Sequence, residues 1–103
     1  MTPLEREFNE AMLGVYANAK RFCNYNATYF LQMLHEKGGR ATAKYLIATE
    51  KPSEGFTALW ECQRLDITVE AVVQNPIYTS LFTAEELRLA KERLEQYGFS
   101  PKY

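Results

Sequence analysis

Apolar residues recur at Leu4, Phe8, Met12, Val15, Tyr16, Ala19 and Phe22, while Glu5, Glu7, Glu10 and Asn18 fall on other faces. That spacing lays one stripe along a helix. Thr2 can cap it, Pro3 suits a first position that needs no amide hydrogen, and Glu5 sits where a capping-box acid belongs. The pattern predicts a helix over residues 3–22, with Gly14 a weak point inside it. Asn24 and Asn26 then offer caps for a second helix, whose buried face is Phe30, Met33 and Leu34 and whose stop is Gly38. A third helix runs from Arg40 to Thr49 with Ala43, Leu46 and Ile47 inward. Pro52 breaks the chain, and Ser53 caps a fourth helix with an aromatic-rich face of Phe56, Leu59 and Trp60.

Two periods compete between Leu65 and Val73. Leu65, Ile67, Val69, Ala71 and Val73 alternate with Asp66, Thr68, Glu70 and Val72 as in a strand, whereas Leu65, Val69, Val72 and Val73 also fit a helix capped by Asp66. A lone strand would have no partner in an otherwise helical chain, so the reading is helix. Asn75-Pro76 starts another short helix ending near Leu81-Phe82. Thr83-Ala84-Glu85-Glu86 is a second capping box, opening a last helix with Leu87, Ala90, Leu94 and Tyr97 on one face. Gly98 closes it, Phe99 folds back onto it and Pro101 prevents its continuation. The sum is six to seven short helices in a single compact all-α domain over residues 1–103.

Composition narrows the function classes. A chain of 103 residues, 47% hydrophobic and 24% charged, fits one soluble globule. A net charge of −1 gives no global pull toward nucleic acid or acidic membranes. No apolar run approaches the ~18 residues of a membrane span, and no secretory signal is visible, so a cytoplasmic protein is expected. Cys23 and Cys62 have no metal-like spacing and read as two free, buried thiols, with one disulfide as the alternative.

Catalytic chemistry finds little to work with. His35 is the one histidine, on the polar side of its helix, and no nucleophile signature surrounds it. Asp66 and Glu70, at helical i, i+4 spacing, could bridge a metal or act as acid and base, but Asp66 is better read as a helix cap and Arg64 as the partner of a nearby acid. Neither enzyme activity nor a cofactor is expected. Gly38-Gly39-Arg40 precedes a helix, a weak candidate for anion binding that Lys44 would support.

Charge is uneven. Residues 20–51 carry six cations, Lys20, Arg21, Lys37, Arg40, Lys44 and Lys51, against Glu36 and Glu50, a balance of +4. Residues 52–86 carry Arg64 against six acids, Glu54, Glu61, Asp66, Glu70, Glu85 and Glu86, a balance of −5. Opposite ends of one small fold would steer a charged partner. The basic stretch also resembles a helix-turn-helix near residues 29–49, in which Lys37, Arg40, Thr42 and Lys44 would face phosphates or bases. Leu34 and Gly39 depart from that motif. Seven tyrosines exceed what so small a core needs, with Tyr16, Tyr25, Tyr29, Tyr45 and Tyr78 the candidates for exposure.

Five segments carry a family likeness: Tyr25–Met33, Gly38-Gly39, Lys51–Glu61, Arg64–Glu70 and Leu81–Leu87. Together they resemble a family of small, uncharacterised all-helical proteins of bacteria and phages, over nearly the whole chain. The resemblance implies a bacterial or mobile-element origin and brings no catalytic residues with it. The expectation is a non-enzymatic interaction module, an adaptor or inhibitor, binding another protein or a second copy of itself. Its candidate contact residues are Tyr25, Tyr29, Arg40, Lys44, Tyr45 and Arg64. A nucleic-acid-binding accessory is the alternative.

Overall fold

A computed structural model describes residues 1–102. They form an all-α fold of five helices and two single 3-10 turns: α1 (Pro3–Cys23), α2 (Thr28–Ala48), α3 (Glu54–Glu61), α4 (Val69–Val72) and α5 (Ala84–Gln96). The 3-10 turns are Leu65–Ile67 and Thr79–Leu81.

Both capping boxes form. The Thr2 hydroxyl accepts from the Glu5 amide at 3.1 Å while Glu5 reaches back to the Thr2 amide, and Thr83 and Glu86 do the same at α5. Ser53 caps α3 by accepting from the Phe56 amide at 3.1 Å. Gly98, with φ 89°, turns the chain so that the Phe99 amide donates to the Leu94 carbonyl and the Phe99 ring packs with Leu94.

Other caps differ from the sequence reading. Asn24 adopts the left-handed conformation that ends α1, and the Asn26 side chain accepts from the Tyr16 hydroxyl, so neither caps α2. Thr68, and not Asp66, caps α4, its hydroxyl accepting from the Ala71 amide at 3.2 Å. The expected helix from Asp66 to Val73 thus breaks into a 3-10 turn and one short α-helical turn, and the one expected from Asn75 is a turn followed by Thr79–Leu81.

Gly38 and Gly39 divide α2 into two helical segments. Gly38 takes φ 82° and ψ 169°, a conformation open to glycine almost alone, and kinks the helix there. A Cβ on Gly39 would lie 2.6 Å from Asn9 Oδ1, so its absence lets α1 approach. The stop expected at Gly38 and the helix expected after it are thus both present within the span Thr28–Ala48.

The main core joins Phe8, Met12 and Val15 of α1 to Ala43, Leu46 and Ile47 of α2, with Val69, Val73, Leu81, Phe82 and Ala90. Phe8 meets Tyr78 and Phe82 edge-on, at 5.2 and 5.3 Å between ring centroids. Ala19, Leu59 and Ile67 form a second cluster, and Phe56, Leu65 and Leu94 a third. Two expected core residues lie outside. Phe22 is half-exposed between the guanidinium groups of Arg21 and Arg64, and Trp60 is half-exposed with its ring edge against Tyr97.

Cys23 and Cys62 are joined by a disulfide with their Cα atoms 5.8 Å apart, which overturns the reading of two free thiols. The bond ties the end of α1 to the end of α3 across a separation of 39 residues. Sequence spacing cannot see it because it depends on how the two helices pack.

Candidate functional site

Residues 24–27 join α1 to α2, and the last turns of α1 and the first turns of α2 border one pocket. α3 packs along α1, with Leu59 against Ala19. This pocket, of about 430 Å³, opens between the three helices. Val15 and Ala19 of α1, Phe30, Met33 and Leu46 of α2, and Phe56 and Leu59 of α3 wall it. Thr68, Val69 and Glu70 also line it, all three buried, and Tyr25, Tyr29 and Glu54 contribute at its more open side. The volume and apolar walls are those of ligand-sized sites, which span ~300–1000 Å³.

Tyr25 is half-buried, its amide donating to the Ala19 carbonyl at 3.1 Å. Burial, and then the charge of Glu54, pushes its phenol above the ordinary value of 10.0. Tyr29 is 81% exposed, the largest free aromatic surface among the described residues. Gly55, in the first turn of α3, lies against Tyr25: a Cβ there would touch the Tyr25 ring at an ordinary 3.6 Å.

Glu70 is 3% exposed. Arg93 of α5 reaches it from outside the pocket lining, Nη1 donating to Oε2 at 3.1 Å. The same guanidinium donates to the carbonyls of Leu46 and Thr49, tying the end of α2 to α5. Burial holds the Glu70 carboxyl above its ordinary 4.5, outweighing its own backbone amide and Arg93, which both act the other way.

The remaining candidate contact residues are dispersed. Arg40 donates to the Leu81 carbonyl at 2.8 Å and lies 3.8 Å from Glu5, while Lys44 pairs with Glu86 at 2.6 Å. Arg64 makes a two-pronged pair with Asp66 at 2.9 and 3.1 Å and covers Phe22. The pair holds the Asp66 carboxyl below its ordinary 3.8. Tyr45 is 54% exposed beneath the Lys37 ammonium, away from the pocket.

The helix-turn-helix reading fails at two points. Thr42 is fully buried and cannot face a base. Arg40 and Lys44 already hold internal partners, which leaves the would-be recognition face mostly committed. The anion site at Gly38-Gly39 is likewise occupied, because the Gly39 amide donates to Asn9 Oδ1 at 2.7 Å. The metal reading of Asp66 and Glu70 is overturned too: one turns to Arg64 and the other to Arg93, and no metal-ligating cluster is present among the described residues.

Tyr25 and Tyr29 are therefore the candidates that the fold brings to one site. The sequence reading missed the floor at Thr68, Val69 and Glu70, the wall at Phe56, and the role of Gly55. One signal pointed there: Glu70 interrupts the apolar run Val69, Ala71, Val72 and Val73 and so must be buried with a partner. Among the described residues no helix is long and apolar enough to cross a membrane. Comparison with protein-family models, curated proteins and solved structures finds no match.

Proposed function

We propose that this chain is a non-enzymatic binding module, an adaptor or inhibitor, whose contact site is the pocket walled by Phe30, Phe56 and Leu59 with Tyr25 and Tyr29 at its open side. The observation that carries this reading is the pocket itself: about 430 Å³ of apolar-walled space beside a tyrosine left 81% exposed. Exposed aromatic surface next to a cavity is the arrangement by which interfaces anchor a partner's side chains. The buried carboxylate at the site is tied to Arg93 and the neighbouring Thr68 hydroxyl donates to the Leu65 carbonyl, which favours binding over catalysis. The partner is another protein, in a bacterial, phage or mobile-element setting.

The cytoplasmic location expected from the sequence and a closed Cys23–Cys62 bond pull in opposite directions, since mesophilic cytosol keeps thiols reduced. We place the protein in the cytoplasm with that bond closed as in the structure, and alkylation in intact cells, expected to add no mass, tests it.

The experiment for the binding site is photo-crosslinking in the native host. A benzoylphenylalanine in place of Tyr29 is expected to trap one protein. The same group in place of Ile77, which is exposed but outside the pocket lining, is expected to trap none. Equal adducts from both positions, or none from position 29, contradict the reading.

A further inference from the structure

We infer that the pocket takes a partner segment in which large apolar side chains are followed by a lysine or arginine, and that it rejects the same segment ending in an acid. The inference rests on the pocket being the contact site and adds the chemistry of its occupant.

The charges around the pocket are one-sided. Its charged lining residues are Glu54 and Glu70, and no lysine, arginine or histidine lines it. An anion entering would meet carboxyl groups with no lining cation to offset them. Arg93 does not change this, because its guanidinium is shared among Glu70 and the Leu46 and Thr49 carbonyls. Turning it toward an incoming acid would leave Glu70 and the Thr49 carbonyl without this donor.

The two carboxyl groups differ in what they can receive. Glu70 is buried and already bonded to a cation, so a second cation brought beside it would lose its water for little gain. Glu54 is exposed and forms no ion pair among the described residues. Three other polar side chains of the lining are engaged: Ser53 accepts from the Phe56 amide, Asn26 from the Tyr16 hydroxyl, and Thr68 donates to the Leu65 carbonyl. A cationic group is therefore best placed at Glu54, with the tyrosine rings of Tyr25 and Tyr29 as further electron-rich neighbours. The apolar part of the segment goes inward, against Phe30, Phe56 and Val69. The volume accommodates about two large side chains, within the range of ligand-sized sites.

Two capped tripeptides, acetyl-Leu-Phe-Lys-amide and acetyl-Leu-Phe-Glu-amide, share their apolar part and differ in the terminal charge. Each is titrated into the ¹⁵N-labelled protein at low salt, following the amide shifts of Val69 and Glu70. The lysine peptide is expected to bind about threefold tighter or better, in line with an exposed charge pair, and the preference should vanish in Glu54→Gln. Equal or tighter binding of the glutamate peptide overturns this inference while leaving the pocket reading standing. A preference that persists unchanged in Glu54→Gln also overturns it. If neither peptide moves the pocket amides, the pocket reading falls with it.

Discussion

Arg93 and Glu70 form a buried pair in which one guanidinium serves three acceptors, Glu70 and two carbonyls at the end of α2. Nη1 reaches Glu70 Oε2 at 3.1 Å and the Leu46 carbonyl at 3.0 Å, and Nη2 reaches the Thr49 carbonyl. Their side chains are 11% and 4% exposed. The pair fixes α5 against the end of α2 and holds Glu70 at the pocket. Arg93→Met takes the donor from a buried carboxyl and from the Thr49 carbonyl, while the Leu46 carbonyl keeps the Thr49 hydroxyl at 2.7 Å. Chemical denaturation should show a loss of about 3–5 kcal/mol. A loss below ~1 kcal/mol would mean that water replaces the guanidinium without cost.

The titration of Glu70 has a definite sign. Its carboxyl lies above the ordinary 4.5 because burial disfavours the charged form. A group with a raised folded pKa holds extra protons in the folded state. Its contribution to stability is full below the unfolded value and is lost as pH rises through the folded one. The stability of the wild type relative to Glu70→Gln should therefore fall as pH is raised above 4.5. A difference that grows with pH would show that Arg93 outweighs burial.

The elements that local chemistry decides were legible in the sequence. Thr2, Ser53 and Thr83 cap the helices expected of them because each bonds within three residues of itself. Ala43, Leu46 and Ile47 face inward as their spacing requires. What depended on distant partners was not legible. Arg40 and Lys44 look free in the sequence, yet their carboxylate partners lie far along the chain at Glu5 and Glu86, whereas Arg64 pairs with a near neighbour as expected. The Gly39 amide is taken by Asn9, thirty positions away. The pocket is the space between α1, α2 and α3, and its sequence signals are two: Tyr25 and Tyr29 as aromatic surplus, and Glu70 as an acid within an apolar run.

Thr42 carries a small defect that can be repaired. Its hydroxyl is buried with no hydrogen-bond partner among the described residues. Valine replaces that oxygen with a methyl group of similar shape, removing the desolvation cost. Thr42→Val should gain about 1 kcal/mol in denaturant unfolding. A loss of stability would point to an unrecognised partner for the hydroxyl.

The Cys23–Cys62 bond closes a long loop of the unfolded chain. Opening it with a reductant should lower the unfolding free energy by about 2–4 kcal/mol, while α1 and α3 still pack through Ala19 and Leu59. Alkylation of the denatured, unreduced protein should add no mass. Two modified cysteines in the oxidised preparation would contradict the bond.

The central claim is that the angle between α1, α2 and α3 is an open apolar binding site. The direct measurement is the fluorescence of N-phenyl-1-naphthylamine, a neutral apolar probe, titrated against the wild type and Gly55→Leu. A side chain at position 55 starts in ordinary contact with the Tyr25 ring, and leucine favours the helix over glycine, so the variant should stay folded while narrowing the entrance. Saturable one-site binding by the wild type, weakened about tenfold or more in a variant with unchanged circular dichroism, is the predicted result. No saturable binding by the wild type, or equal binding by both proteins, would contradict it.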